Sequence, residues 1–247
     1  MNPTSFTGHE LPVLMYHRLV TQASGTDRFS LQVTVDDFER QLDWLQKWGH
    51  TPVTFQDLDG DLPRKPLILT FDDGYEDNYF NLFPILKRRG VKAVVYVLGD
   101  RSIRRNEWDI LQGEPALNLL TDEQVVEMGR SGFVEIGSHS MTHAKLTELP
   151  GEVLRRQVED SKKSLEKLLG TPVGSFAYPY GYVNPAVKEA VGRAGYRFGL
   201  AVHSGPTAFN QDLLEIRRHA IGPRTHRWKY WKQTSGWYFR YRKIFRP

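Results

Sequence analysis

The stretch Leu69-Thr70-Phe71-Asp72-Asp73-Gly74-Tyr75 ends an apolar run on two adjacent carboxylates and a glycine turn. The run leading into it, Pro66 to Phe71, has no wet face, which marks a strand covered on both sides as in a parallel sheet. In parallel α/β folds the functional groups collect at the carboxyl ends of strands. Asp72 and Asp73 therefore fall where such a fold does its chemistry. Two neighbouring carboxylates raise each other's cost of ionisation unless something positive stands beside them.

Working outward, further apolar, β-rich runs recur at 12–17, 51–55, 92–99, 133–140, 174–180, 197–202 and 215–221. Helical patterns separate them. Thr34 to Trp48 opens on a Thr-x-x-Asp capping box and repeats apolar residues at Phe38, Leu42 and Leu45; Thr121 to Gln124 opens a second helix in the same way. A third runs from Glu152 to Leu169 and stops at Gly170, and Asn78–Arg89 and Asn184–Ala194 end at Gly90 and Gly195. Pro84, inside the Asn78–Arg89 pattern, predicts a late start or a kink. The alternation predicts a single α/β domain, barrel-like rather than open.

The 247 residues are 40% apolar, enough for a substantial core, and no run of about 18 apolar residues spans a membrane. The opening residues lack the basic and apolar regions of a signal peptide, so the expected address is cytoplasmic. The absence of cysteine excludes disulfides, thiolate metal sites and cysteine nucleophiles, and leaves any metal to His, Asp and Glu. The net charge of +4 is unevenly spread: residues 1–215 hold 23 Lys/Arg against 29 Asp/Glu, and the ten remaining Lys/Arg follow with no acid among them. The chain is expected to divide into 1–223, the main domain, and 224–247, a basic aromatic tail.

Three predicted strand ends carry reactive side chains: Asp72 and Asp73, then His139, then Tyr180. His139 and His143, four residues apart in "HSMTH", turn both imidazoles to one side on a helical turn or a tight loop. With one Asp they make a two-His, one-carboxylate set with open positions. The second Asp is then free to act as base on a water whose pKa the ion lowers from near 16 to about 7. Taken singly, Asp-Asp-Gly is a common turn and His-x-x-x-His a common surface pair. Their conjunction at successive strand ends is what points to a metal centre.

"TFDDGY", "HSMTH" and "FAYPYG", in this order and spacing, resemble the first three motifs of the NodB-type polysaccharide deacetylases, carbohydrate esterase family four. The resemblance spans roughly residues 10–222. It implies a distorted (β/α) barrel of about seven parallel strands and metal-dependent hydrolysis of an N-acetyl group, less often O-acetyl or N-formyl, on a sugar. Matched position by position, Asp72 is the general base, and Asp73, His139 and His143 hold one divalent ion, zinc first, with nickel or cobalt as alternatives. The backbone N–H of Tyr180 helps to hold the oxyanion, and Tyr75 and Pro179, within the motifs, are assigned to substrate binding.

The sequence departs from the family pattern at two places. Ala177 stands where the third motif usually carries Arg, and the late Leu-x-His that supplies the general acid is absent as such. The nearest match is "EIRRHAI" at 215–221, where strand alternation lets only one of Arg218 and His219 face the site. An inward Arg218 replaces the missing Arg beside Asp72; an inward His219 protonates the leaving amine. The "YPYG" form and the opening "VLMYH" resemble the poly-N-acetylglucosamine deacetylase subgroup, in which the His of the opening strand, here His17, lies near the active site; a hydrogen-bonded core histidine is the alternative. His203 stands at another strand end.

The expected substrate is an amino sugar in a polysaccharide or glycolipid precursor. A small-amide hydrolase and a non-catalytic glycan-binding protein of the same fold are the rivals. The tail, with eight aromatics in its last twenty residues, either packs a final helix on the barrel or meets an anionic membrane, with nucleic acid the less suited partner.

Overall fold

The computed structural model describes residues 11–25, 27–206 and 208–235. The first half of the chain runs β1 (Val13–Tyr16), β2 (Arg18–Val20), β3 (Gln32–Thr34), α1 (Val35–Lys47), β4 (Thr51–Val53), β5 (Pro66–Phe71), α2 (Phe83–Arg89), β6 (Ala93–Val97) and α3 (Glu107–Ile110). The second runs α4 (Asp122–Arg130), β7 (Val134–Ser138), α5 (Gly151–Leu169), β8 (Ser175–Ala177), α6 (Pro185–Arg193), β9 (Phe198–Ala201), β10 (Ile216–Arg217), β11 (His219–Ala220) and α7 (Arg227–Thr234).

The main sheet is parallel throughout, in the order β10-β9-β8-β7-β6-β5-β1-β11, with β4 added beside the first half of β5. Its two edges meet on one short segment. Ile216 and Arg217 pair with Leu200 and Ala201 of β9, while His219 and Ala220 pair with Leu14 and Met15 of β1. The sheet is thus nearly closed into a barrel wrapped by helices. All six residues of β5 are buried, as a strand inside such a wrapping must be.

Side chains alternate between two cores. Leu14, Leu69, Val95 and Phe71 join the outer core beneath the helices, with Phe38 and Leu45 of α1 and Val158 and Leu165 of α5. Val13, Ile68, Val94, Ala177 and Leu200, each one residue out of phase, fill the barrel. The caps behave as their residues dictate. Thr34 accepts from Asp37 N–H, Thr121 and Gln124 form a complete capping box, and Gly170 ends α5 at φ 72°.

Three expected boundaries shift. The helix read over Asn78–Arg89 begins as a π-helical segment at Asn78–Leu82 that runs directly into α2, so Pro84 lies inside a continuous helical run just after the change of hydrogen-bond pattern. The strand read over 215–221 is broken at Arg218 into β10 and β11, because each half pairs with a different edge. The strand read to Tyr180 ends at Ala177, and Pro179–Gly181 form a tight turn.

The tail falls into two parts. Tyr230 of α7 is fully buried, its ring centroid 5.9 Å from Trp44 and 6.2 Å from Trp48 and its hydroxyl 3.1 Å from that of Tyr16. Residues 236–247 lie outside the described residues. Among those described, no helix is long and apolar enough to cross a membrane.

Candidate metal and active site

The site is assembled by turns that few residue types adopt. Asp72 and Asp73 follow β5, and Asp72 N–H is held by the Tyr16 carbonyl at 3.0 Å. Asp73 has φ 71° and Gly74 φ 67°; a Cβ on Gly74 would stand 2.9 Å from Val97 Cγ1, so the turn needs its glycine. Among the described residues, five non-glycine residues have positive φ, and four of them, Asp73, Ser140, His143 and Tyr180, belong to this site. Each costs on the order of 1–3 kcal/mol, a strain that persists where surrounding structure imposes it.

His139 leaves β7 with its N–H on the Val97 carbonyl, and the loop then turns back at Ser140, whose Oγ accepts His143 N–H at 3.1 Å. Both imidazoles arrive at Asp73: His139 Nε2 and His143 Nε2 each lie 3.2 Å from Asp73 Oδ1, and all three residues are buried. His139 Nδ1 lies 2.8 Å from the Ala177 carbonyl, an acceptor only, so it carries the proton and leaves the Nε2 lone pair facing Asp73. At that distance in a buried site the ring and the carboxylate need a cation between them, either a second proton on the ring at Nε2 or a metal ion. The donor set, two imidazoles and one carboxylate converging on one point, fits a divalent ion.

The neighbouring carboxylate is neutralised in another way. Arg218 grips Asp72 bidentately, Nη1 to Oδ1 at 2.6 Å and Nη2 to Oδ2 at 2.7 Å, and donates from Nη1 to Thr70 Oγ1 at 3.2 Å. Burial pushes the Asp72 pKa up, and Arg218 with His139 more than reverses it, leaving the carboxylate below its ordinary value. Burial also opposes ionisation of Asp73, and the two histidines overcome it, holding that carboxyl well below the usual range.

These groups open on a cavity of about 460 Å³. Its wall includes His17, Asp72, Asp73, His139, His143, Tyr180, His203 and Arg218. Arg218 and Ala220 line it but His219 between them does not, and neither do Tyr75 and Pro179, both of which are buried. Several wall residues escaped the sequence reading, Trp108 and Asp109 among them. Trp108 stacks on His143 at 4.2 Å and 15°, and Asp109 follows it in α3. They sit in a long connection with no periodicity to place them.

Residues 59–199 match the sequence profile of the family described as polysaccharide deacetylase. The chain belongs to that family. The Bacillus subtilis protein YxkH is 30% identical over 220 residues, which are 87% of this chain and 72% of that protein. The poly-β-1,6-N-acetyl-D-glucosamine N-deacetylase of Staphylococcus epidermidis is 25% identical over 83% of this chain and 76% of its own. Among solved structures, the Streptococcus pyogenes deacetylase PplD in complex with acetate superposes with TM-score 0.77 at 26% identity, covering 92% of this chain and 98% of that one. IcaB from Ammonifex degensii gives 0.75 at 25%, covering 93% and 97%. The protein is a carbohydrate deacetylase on a nearly closed (β/α) barrel, as the motifs and the strand pattern led one to expect.

Proposed function

We propose that this deacetylase removes the N-acetyl group from an amino sugar in a polysaccharide or glycolipid precursor, using one divalent ion held by Asp73, His139 and His143. The observation that carries the proposal is the division of labour between neighbouring carboxylates: Asp73 meets two imidazoles, and Asp72 meets an arginine. The ion, zinc by its preference for this donor set, supplies Lewis acidity toward the acyl oxygen and acidifies water in its shell.

Asp72, kept ionised by Arg218, takes the proton of the attacking water as its oxygen adds to the acyl carbon. The guanidinium holds both carboxylate oxygens, so the base cannot rotate away. The N–H of Tyr180 hydrogen-bonds the oxyanion that develops. As the C–N bond breaks, the amine takes a proton from His17, which lines the cavity where His219 does not. Acetate and a free amino sugar leave. Exposed Trp228 and the neighbouring Arg227 support a contact of the C-terminal part with an anionic membrane, where a lipid-linked substrate would be presented.

The test is Asp72→Asn assayed with the wild type on N-acetylated sugar oligomers and on small non-sugar amides. The variant should keep its ion, measured by elemental analysis, and lose about 10²- to 10⁴-fold in turnover. Near-normal turnover would remove Asp72 from its role, and wild-type activity confined to small amides would replace the sugar.

A further inference from the structure

The mechanism leaves one buried carboxylate of the cavity unused. Asp109, in the single-turn helix α3, is 6% exposed and shares the wall with Asp72, Asp73, His139 and His143. It is built into place. Tyr75, two residues after Asp73, donates its hydroxyl to Asp109 Oδ2 at 2.7 Å, which fixes the rotamer. Buried Asn106 at the start of the turn accepts Leu117 N–H at 2.7 Å and donates to the Pro115 carbonyl at 3.2 Å. Bridges between Arg105 and Asn118 and between Tyr75 and Leu119 hold the connection at both sides.

Among the described residues Asp109 forms no ion pair; its hydrogen-bond donors are the Tyr75 hydroxyl and Asn106. A carboxylate offers about four lone-pair sites, and two neutral donors leave it under-satisfied in a place that water leaves when substrate enters. Burial pushes its pKa up, the Tyr75 hydrogen bond pulls back, and nearby Asp73 adds to the rise. Something that brings donors is the natural complement. A sugar ring carries hydroxyls at its edges; the acetyl methyl carries none.

We infer that Asp109 is a substrate-binding residue whose carboxylate accepts a hydrogen bond from a hydroxyl of the sugar ring that bears the acetyl group. This rests on the carbohydrate substrate proposed above. Tyr75 becomes a positioning residue that acts through Asp109. Such an acceptor selects against acyl amides without a ring hydroxyl, because they would leave a buried carboxylate short of donors.

The experiment is a cycle between enzyme and substrate. Wild type, Asp109→Ala and Asp109→Asn are assayed on an N-acetylglucosamine oligomer, on its monodeoxy analogues and on 4-nitrophenyl acetate, which has no hydroxyl to offer. Asp109→Ala should lose about 10- to 100-fold in kcat/KM on the parent sugar, mostly in KM, and less than about twofold on the ester. One deoxy analogue should cost the wild type a similar factor and cost Asp109→Ala nothing further. If the alanine variant does not fold, Asp109→Asn carries the same cycle with a smaller loss. Losses additive at every hydroxyl position would overturn the inference, as would equal losses on sugar and ester with reduced ion content. Wild-type hydrolysis of the ester with none of any N-acetyl sugar would overturn the carbohydrate reading itself, and the inference with it.

Discussion

The two ends of β7 carry the same kind of demand and answer it differently. Glu135 and His139 lie on the same face of one strand, four residues or about 13 Å apart. At the carboxyl end the two adjacent carboxylates each meet basic side chains: Arg218 for Asp72 and two imidazoles for Asp73. At the amino end Glu135 is buried with neutral donors only, Gln56 N–H at 3.0 Å and Ser175 Oγ at 3.3 Å. Burial pushes its pKa up to about 7. The lesson is that depth alone does not make a carboxylate functional. Asp72 and Asp73 differ from Glu135 in having basic partners that keep them ionised.

The largest effect that would break this comparison comes from His139→Ala. The variant should lose most of its bound ion and, with it, about 4 kcal/mol or more of transition-state stabilisation, roughly 10³-fold in turnover. Full ion content by elemental analysis together with full activity would place the centre elsewhere.

Next comes Arg218→Met, which strands the Asp72 charge in a fully buried position. Removing one member of a buried pair costs about 3–5 kcal/mol. Urea denaturation should show that loss, and Asp72→Asn in the same chain should recover much of it. A single variant as stable as wild type would mean that the pair carries little.

Glu135→Gln tests the other end. Its folded pKa of about 7 lies above the ordinary 4.5, so the native state binds more protons than the unfolded state between those values. Stability from this group is therefore full below pH 4.5 and falls as pH rises through 7, by about 3 kcal/mol in all. Relative to the wild type, the glutamine variant should gain stability between pH 5 and pH 8. Parallel pH profiles in urea would show that Glu135 is ionised throughout.

The smallest effect concerns the C-terminal segment. A chain ending at Ser235 keeps Tyr230 in the core and should sediment less with anionic vesicles than the full chain, with a difference that salt erases. Equal sedimentation of both would take the membrane away from this segment. A cut near Pro223 would not serve, because it removes buried Tyr230 as well.

Local sequence determined a good deal. The uniform apolarity of 66–71 marks a buried parallel strand wherever it is met, Thr34 and Thr121 cap helices through their own hydroxyls, and Gly74 permits a turn that a side chain would block. The convergence of Asp73, His139 and His143 was legible for the same reason, since strand ends in such a fold share one rim. What lay across the barrel was not. Alternation requires Arg218 and His219 to oppose each other and says nothing of which faces inward; the pairing of 216–217 with β9 and 219–220 with β1 decides that, and brings Arg218 to Asp72 from 146 positions away in the chain. Trp108 and Asp109 reach the cavity through a connection shaped by Asn106 and Tyr75, with no period to betray them. Periodicity reports the faces of single elements, whereas a side chain's neighbours depend on closure of the whole sheet.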